Sequence, residues 1–189
     1  MLEHEASRYL AEYNQENYGR LQRLSFAPSI TFLKHLYTLP FETGLVKQHG
    51  WFLIKGLQDE VDMRNAPPNT SVYIHSHCLD GYTDISIPYS VPSPEDWLTC
   101  SQTGNNLIVS SMGITEFWTP NTDFAKNLFD KALKIADSEW SERYLTLLSG
   151  IGALSLFETI PWDLVNEQVL EELFNPNPFH KFSTHERLF

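Results

Sequence analysis

Cysteine is nearly missing from this chain: Cys78 and Cys100 are the only two in 189 residues. Two thiols make no disulfide framework, so the fold must rest on a buried core. Basic residues are also scarce. Lys and Arg number 13 against 24 Asp and Glu, giving a formal charge of -11, and they do not cluster. A surface of that sign repels phosphate backbones and anionic lipid, which argues against nucleic acid or a membrane as partner. No stretch approaches the roughly 20 apolar residues of a membrane span. The opening segment, MLEHEASRYLAEYNQENYG, lacks the basic start and apolar run of a secretory leader. These absences lead us to expect a soluble intracellular protein, cytoplasmic or nuclear, with reduced thiols.

What is present suffices for one domain. Apolar residues make up 42% and aromatics 13%, enough to exclude wholesale disorder. Leu2, Ala6, Tyr9, Leu10, Tyr13, Leu21 and Leu24 suggest a helical N-terminal extension over residues 1–28. Pro28-Ser29 opens a short helix with Ser29 as cap, and Pro40 ends it. Phe41–Lys47 and Trp51–Lys55 read as a hairpin around His49-Gly50. Ser71–His77 is β-branched and aromatic and reads as a buried strand. Ser93-Pro94-Glu95-Asp96 has the signature of a helix start, with serine at the cap, proline first and acids in the first turn. Asn106–Ser111 and Ile114–Thr119 read as strands around Met112-Gly113. The remainder, residues 121–174, is expected to be helical, and 175–189 to be an extended tail. Strands and helices in this order imply a layered α+β domain.

The chemistry begins at His75-Ser76-His77. Strand residues two apart share a face, so both imidazoles can aim at one point. Zinc takes histidine nitrogens at about 2.0–2.1 Å and needs further ligands. Cys78, Asp80, Asp84, Glu95 and Asp96 are all candidates for the third. Asp96 stands out because a carboxylate on a first helical turn is fixed in direction. The plain alternative for Ser93 and Asp96 is helix capping. Histidine pairs like this one also occur on solvated strand faces.

Taken together, Glu42, His75-Ser76-His77 and Ser93-Pro94-Glu95-Asp96 resemble the JAMM motif of MPN-domain (JAB-like) zinc metalloproteases: a glutamate on an early strand, then HxH, then SxxD. Leu39-Pro40-Phe41-Glu42-Thr43-Gly44 and the NLIVSSMGITEFW stretch fit the same pattern, over about residues 29–120. The chain departs from it at Cys78, where relatives usually have proline, and in the 15 residues (78–92) between the second histidine and Ser93. The resemblance implies a JAB/MPN-like (cytidine-deaminase-like) mixed sheet flanked by helices, with residues 121–174 as extra C-terminal helices. It implies Zn²⁺ held by His75, His77 and Asp96, Glu42 as general base and Ser93 as oxyanion donor. The expected reaction is amide hydrolysis, peptidase or isopeptidase, on a protein or peptide substrate. Ubiquitin and ubiquitin-like modifiers are the family's best-known targets.

Three other readings compete. One is an inactive MPN scaffold that binds a protein partner through its C-terminal helices and tail. Another is a closed structural zinc site completed by Cys78. A metallo-β-lactamase-like hydrolase would need an aspartate one position earlier and a further histidine. Cys100 reads as core, and the five tryptophans as core or interface aromatics.

Overall fold

Central strands such as Asn105–Ser110 carry unbroken apolar runs, Leu107-Ile108-Val109, and because successive side chains point to opposite faces, one sheet carries two cores. In the computed structural model, which describes residues 1–11, 17–58, 60–78, 90–101, 104–136 and 140–175, seven strands form a single mixed sheet. They are β1 (Leu21–Leu24), β2 (Thr43–Lys47), β3 (Trp51–Lys55), β4 (Val72–Ser76), β5 (Asn105–Ser110), β6 (Gly113–Phe117) and β7 (Phe157–Pro161). Their spatial order is β1-β3-β2-β4-β5-β6-β7. Every neighbouring pair is antiparallel except β4 and β5, which run parallel.

Six α-helices are found among the described residues: α1 (Glu3–Ala11), α2 (Ile30–Leu36), α3 (Pro94–Thr99), α4 (Thr122–Ala132), α5 (Trp140–Gly150) and α6 (Glu167–Phe174). They fall on the two sides of the sheet. Leu45, Leu53, Ile74, Leu107 and Val109 pack against Ala6 and Leu10 of α1, Leu33 and Leu36 of α2, and Leu170 and Leu173 of α6. The alternate residues Ile108 and Phe117 pack with Trp97 of α3, Leu128 of α4, and Tyr144 and Leu148 of α5. The result is an α+β fold with the sheet between two helical layers. No helix among the described residues is long and apolar enough to cross a membrane.

The expected hairpin is present, with Thr43 opposite Lys55 and Lys47 opposite Trp51. Ser29 caps α2 by accepting from the Phe32 amide at 3.1 Å. Cys100 is buried in the second core, as its pattern suggested. Two segments differ from expectation. Residues 21–24 form an edge strand, not a helix: Leu21 and Leu24 are three apart, a spacing that fits a helix, but the segment pairs with β3, Leu21 facing Ile54. The segment 121–174 is not helical throughout, because Phe157–Pro161 adds β7 to the far edge beside β6. Its pairing comes from residues distant in sequence, and Trp162 strengthens it by donating from Nε1 to the Ser110 carbonyl at 2.9 Å. The tail from residue 176 onward lies outside the described residues.

Candidate metal centre

β4 ends where the site begins. His75 lies on the strand and His77 just past it, held in line by a bond from its amide to the Val109 carbonyl at 2.9 Å. The two are an even step apart, so both rings leave the sheet on the side of α3. Ser76, between them, points the other way and is fully buried, accepting at Oγ from the Thr43 amide at 2.9 Å.

The third member arrives on α3, the crossover helix between the parallel strands β4 and β5. Ser93 is its N-cap and Pro94 its first residue. Asp96 Oδ2 accepts from the Ser93 amide at 2.7 Å, and the Asp96 amide donates to Ser93 Oγ at 3.2 Å. This reciprocal capping box locks the carboxylate in direction. It leaves that carboxylate facing both histidines. His75 Nε2 is 3.0 Å from Oδ1, His77 Nε2 is 3.2 Å from Oδ2, and the two Nε2 atoms are 3.1 Å apart. Asp96 is therefore both a helix cap and a member of the cluster, so the two sequence readings of it are compatible.

His77 is 3% exposed, while His75 and Asp96 are 13% and 12% exposed, so the cluster is dry on one side and open on the other. Burial by itself pushes the Asp96 carboxyl up. The charge of His75 and hydrogen bonds from His75 and His77 together outweigh burial and hold it well below the ordinary carboxylate range. An ionised carboxylate facing two imidazole nitrogens is a donor set suited to a divalent metal.

The geometry fits one ion. Ligand atoms about 2.0–2.1 Å from a tetrahedral zinc lie about 3.3 Å from one another. Here the two Nε2 atoms are 3.1 Å apart, and each faces a different oxygen of the Asp96 carboxylate, His75 at 3.0 Å from Oδ1 and His77 at 3.2 Å from Oδ2. Three protein ligands on one triangle leave the fourth position of a tetrahedron to water or substrate. This is the one group of three potential ligands that close together among the described residues.

Among the described candidates, Cys78 and Glu95 are not part of the cluster. Cys78 is fully buried and donates from Sγ to the Gln58 carbonyl at 3.0 Å. Glu95 is exposed on the outer side of α3. Asp80 and Asp84 lie outside the described residues.

Glu42 lies just before β2 and is 5% exposed. Gly44 faces His75 across the β2–β4 pairing, and the bond from Thr43 to Ser76 continues that register. Glu42 precedes β2 by one residue. Its backbone is gripped on the opposite side, where its amide donates to the Leu57 carbonyl at 2.7 Å and its carbonyl accepts from the Gly56 amide at 2.9 Å. Gly56 is required there: a Cβ would lie 2.6 Å from the Glu42 oxygen and 2.4 Å from that of Glu60. Gly44 lets Met63 and Val61 close over the sheet, since a Cβ would meet them at 2.6 and 3.0 Å. Sequence reasoning passed over Gly56 and the wall it forms, because that close approach depends on a fold-back visible only in three dimensions.

No known protein family, curated protein or solved structure matches this chain.

Proposed function

We propose that this chain is a zinc-dependent amide hydrolase with a JAMM/MPN-like site. The observation that carries the reading is the His75–His77–Asp96 cluster, whose two Nε2 atoms lie 3.1 Å apart and face the two oxygens of one carboxylate at 3.0 and 3.2 Å, close enough to share one ion. Its order along the chain, strand-borne HxH followed by a capped Ser-x-x-Asp turn, is the order of the motif.

His75, His77 and Asp96 would hold the metal. A zinc ion bound in such a site lowers the pKa of its water to around 7 and polarises a carbonyl. Glu42, buried just before β2, is the general base: its carboxylate accepts a proton from water and returns it to the departing nitrogen. Ser93 Oγ accepts from the Asp96 amide and still has its own proton to donate, which suits it to hold the oxyanion. The substrate class is a protein or peptide amide, with isopeptide bonds to ubiquitin-like modifiers as the first to screen. A JAB/MPN-type fold is part of the same proposal, and the mixed sheet with helices on both faces supports it.

Elemental analysis of metal-replete protein tests the reading. About one zinc per chain in the parent, lost in both His77→Ala and Asp96→Ala, supports it. No zinc in the parent removes the hydrolase and leaves a scaffold. Zinc with no cleavage of peptide or isopeptide substrates leaves a metal site without this chemistry.

A further inference from the structure

The turn that presents Asp96 is held from behind by a helix far along the chain. Tyr144, on α5, is 1% exposed. Its hydroxyl donates to the Pro92 carbonyl at 2.8 Å and accepts from Trp97 Nε1 at 3.1 Å. Pro92 immediately precedes the N-cap Ser93, and Trp97 immediately follows Asp96. One oxygen thus grips both ends of the segment that carries the carboxylate. The clamp is itself rigid. Trp140 stacks on the Tyr144 ring, with centroids 4.7 Å apart and planes 20° apart. Trp97 is fully buried and meets Phe117 edge-on at 5.8 Å, and Phe117 meets His75 edge-on at 6.5 Å. The Tyr144 hydroxyl therefore reaches both arms of the triangle, Asp96 through backbone and His75 through packed rings.

We infer that Tyr144 is a positioning residue of the metal centre, setting the place of Asp96 against His75 and His77 from helix α5. The inference rests on the metal-site reading of that triangle. Metal coordination tolerates only about ±0.2 Å in ligand distance, so a turn freed at both ends loses affinity before it loses its fold. Removing the hydroxyl also leaves a buried carbonyl and a buried indole N–H without that partner. The C-terminal helices would then be a working part of the site, and not an addition to it.

Tyr144→Phe is the test, because it keeps the ring and its stacking and deletes one oxygen. Leu148→Ala, one turn along α5 and fully buried in the same core, is the control for general loosening. Trp97→Phe removes only one end of the clamp and serves as the second variant. Zinc affinity is read by chelator competition, and ligand geometry by the visible absorption of the cobalt-loaded protein, with folding checked by circular dichroism. The expected result is an affinity loss of about tenfold in Tyr144→Phe, a smaller loss in Trp97→Phe, an altered cobalt spectrum in both, and neither change in Leu148→Ala. Affinity within twofold of the parent in Tyr144→Phe, or an equal loss in Leu148→Ala, overturns the inference while the triangle stands. A parent that binds no zinc overturns the triangle itself, and the inference falls with it.

Discussion

His77 Nε2 and Asp96 Oδ2 lie 3.2 Å apart although 19 residues separate them in the chain. The same Oδ2 accepts the Ser93 amide at 2.7 Å, so one oxygen serves a helix end and a histidine at once. These two duties separate in Asp96→Asn. An asparagine oxygen still accepts from the Ser93 amide but offers no negative charge to a metal. We expect loss of zinc, with a stability change in the metal-free protein of no more than about 1 kcal/mol, the usual scale of a cap. Chelator competition and thermal unfolding of the same sample check both halves.

Asp96 also predicts an acid dependence. A carboxyl held below its unfolded value contributes stability that is fully present above that value, here 3.8, and is lost as pH falls through the lower folded one. In the presence of chelator, the parent should therefore lose stability below pH 3.8 more steeply than Asp96→Asn does. Urea midpoints measured across that window decide it, and identical slopes would show that the two histidines do not hold the carboxylate in solution.

Glu42→Gln should keep its zinc and lose turnover by about 10²–10⁴, the usual contribution of a general base. The isosteric amide fills the same buried space without accepting a proton. Zinc content and cleavage rate measured side by side distinguish a lost base from a lost metal.

Gly44→Ala and Gly56→Ala should differ in a defined order. At Gly44 the nearest obstacle is the end of Met63, a flexible side chain, and we expect a cost of about 1–3 kcal/mol. At Gly56 the obstacles are two backbone oxygens, those of Glu60 and Glu42, at 2.4 and 2.6 Å. Backbone cannot swing aside, so this variant should be the more destabilised in denaturant unfolding. Only Gly44→Ala should be relieved by adding Met63→Ala.

The His75–His77–Asp96 grouping was more legible in the sequence than the sheet around it, for a physical reason. His75 and His77 announce a shared face through strand parity, and Ser93-Pro94-Glu95-Asp96 announces a helix start through capping chemistry. Both signals are local. Strands β1 and β7 are defined by partners elsewhere. Leu21-Gln22-Arg23-Leu24 has the spacing of a helical turn and becomes a strand only because β3 offers it an edge. No residue of Phe157–Pro161 is fully buried, its sequence FETIP has no apolar alternation, and it is fixed by its pairing with β6. Tyr144 is legible from sequence only as one more aromatic on a helix. Its importance comes from hydrogen bonds to Pro92 and Trp97, 52 and 47 residues away.

β4, α3 and β5 form the one parallel crossover of the sheet, and all three corners of the triangle belong to it. That crossover brings His75, His77 and Asp96 together, while Tyr144 of α5 holds the Asp96 turn from outside it. Glu42 comes from β2's side and joins only when the antiparallel pairing with β4 forms. On the proposed reading, ion capture and proton transfer would depend on different long-range pairings. During folding the chain could hold an ion before it could use one, and damage confined to the β2–β4 seam would yield a protein that is loaded but idle.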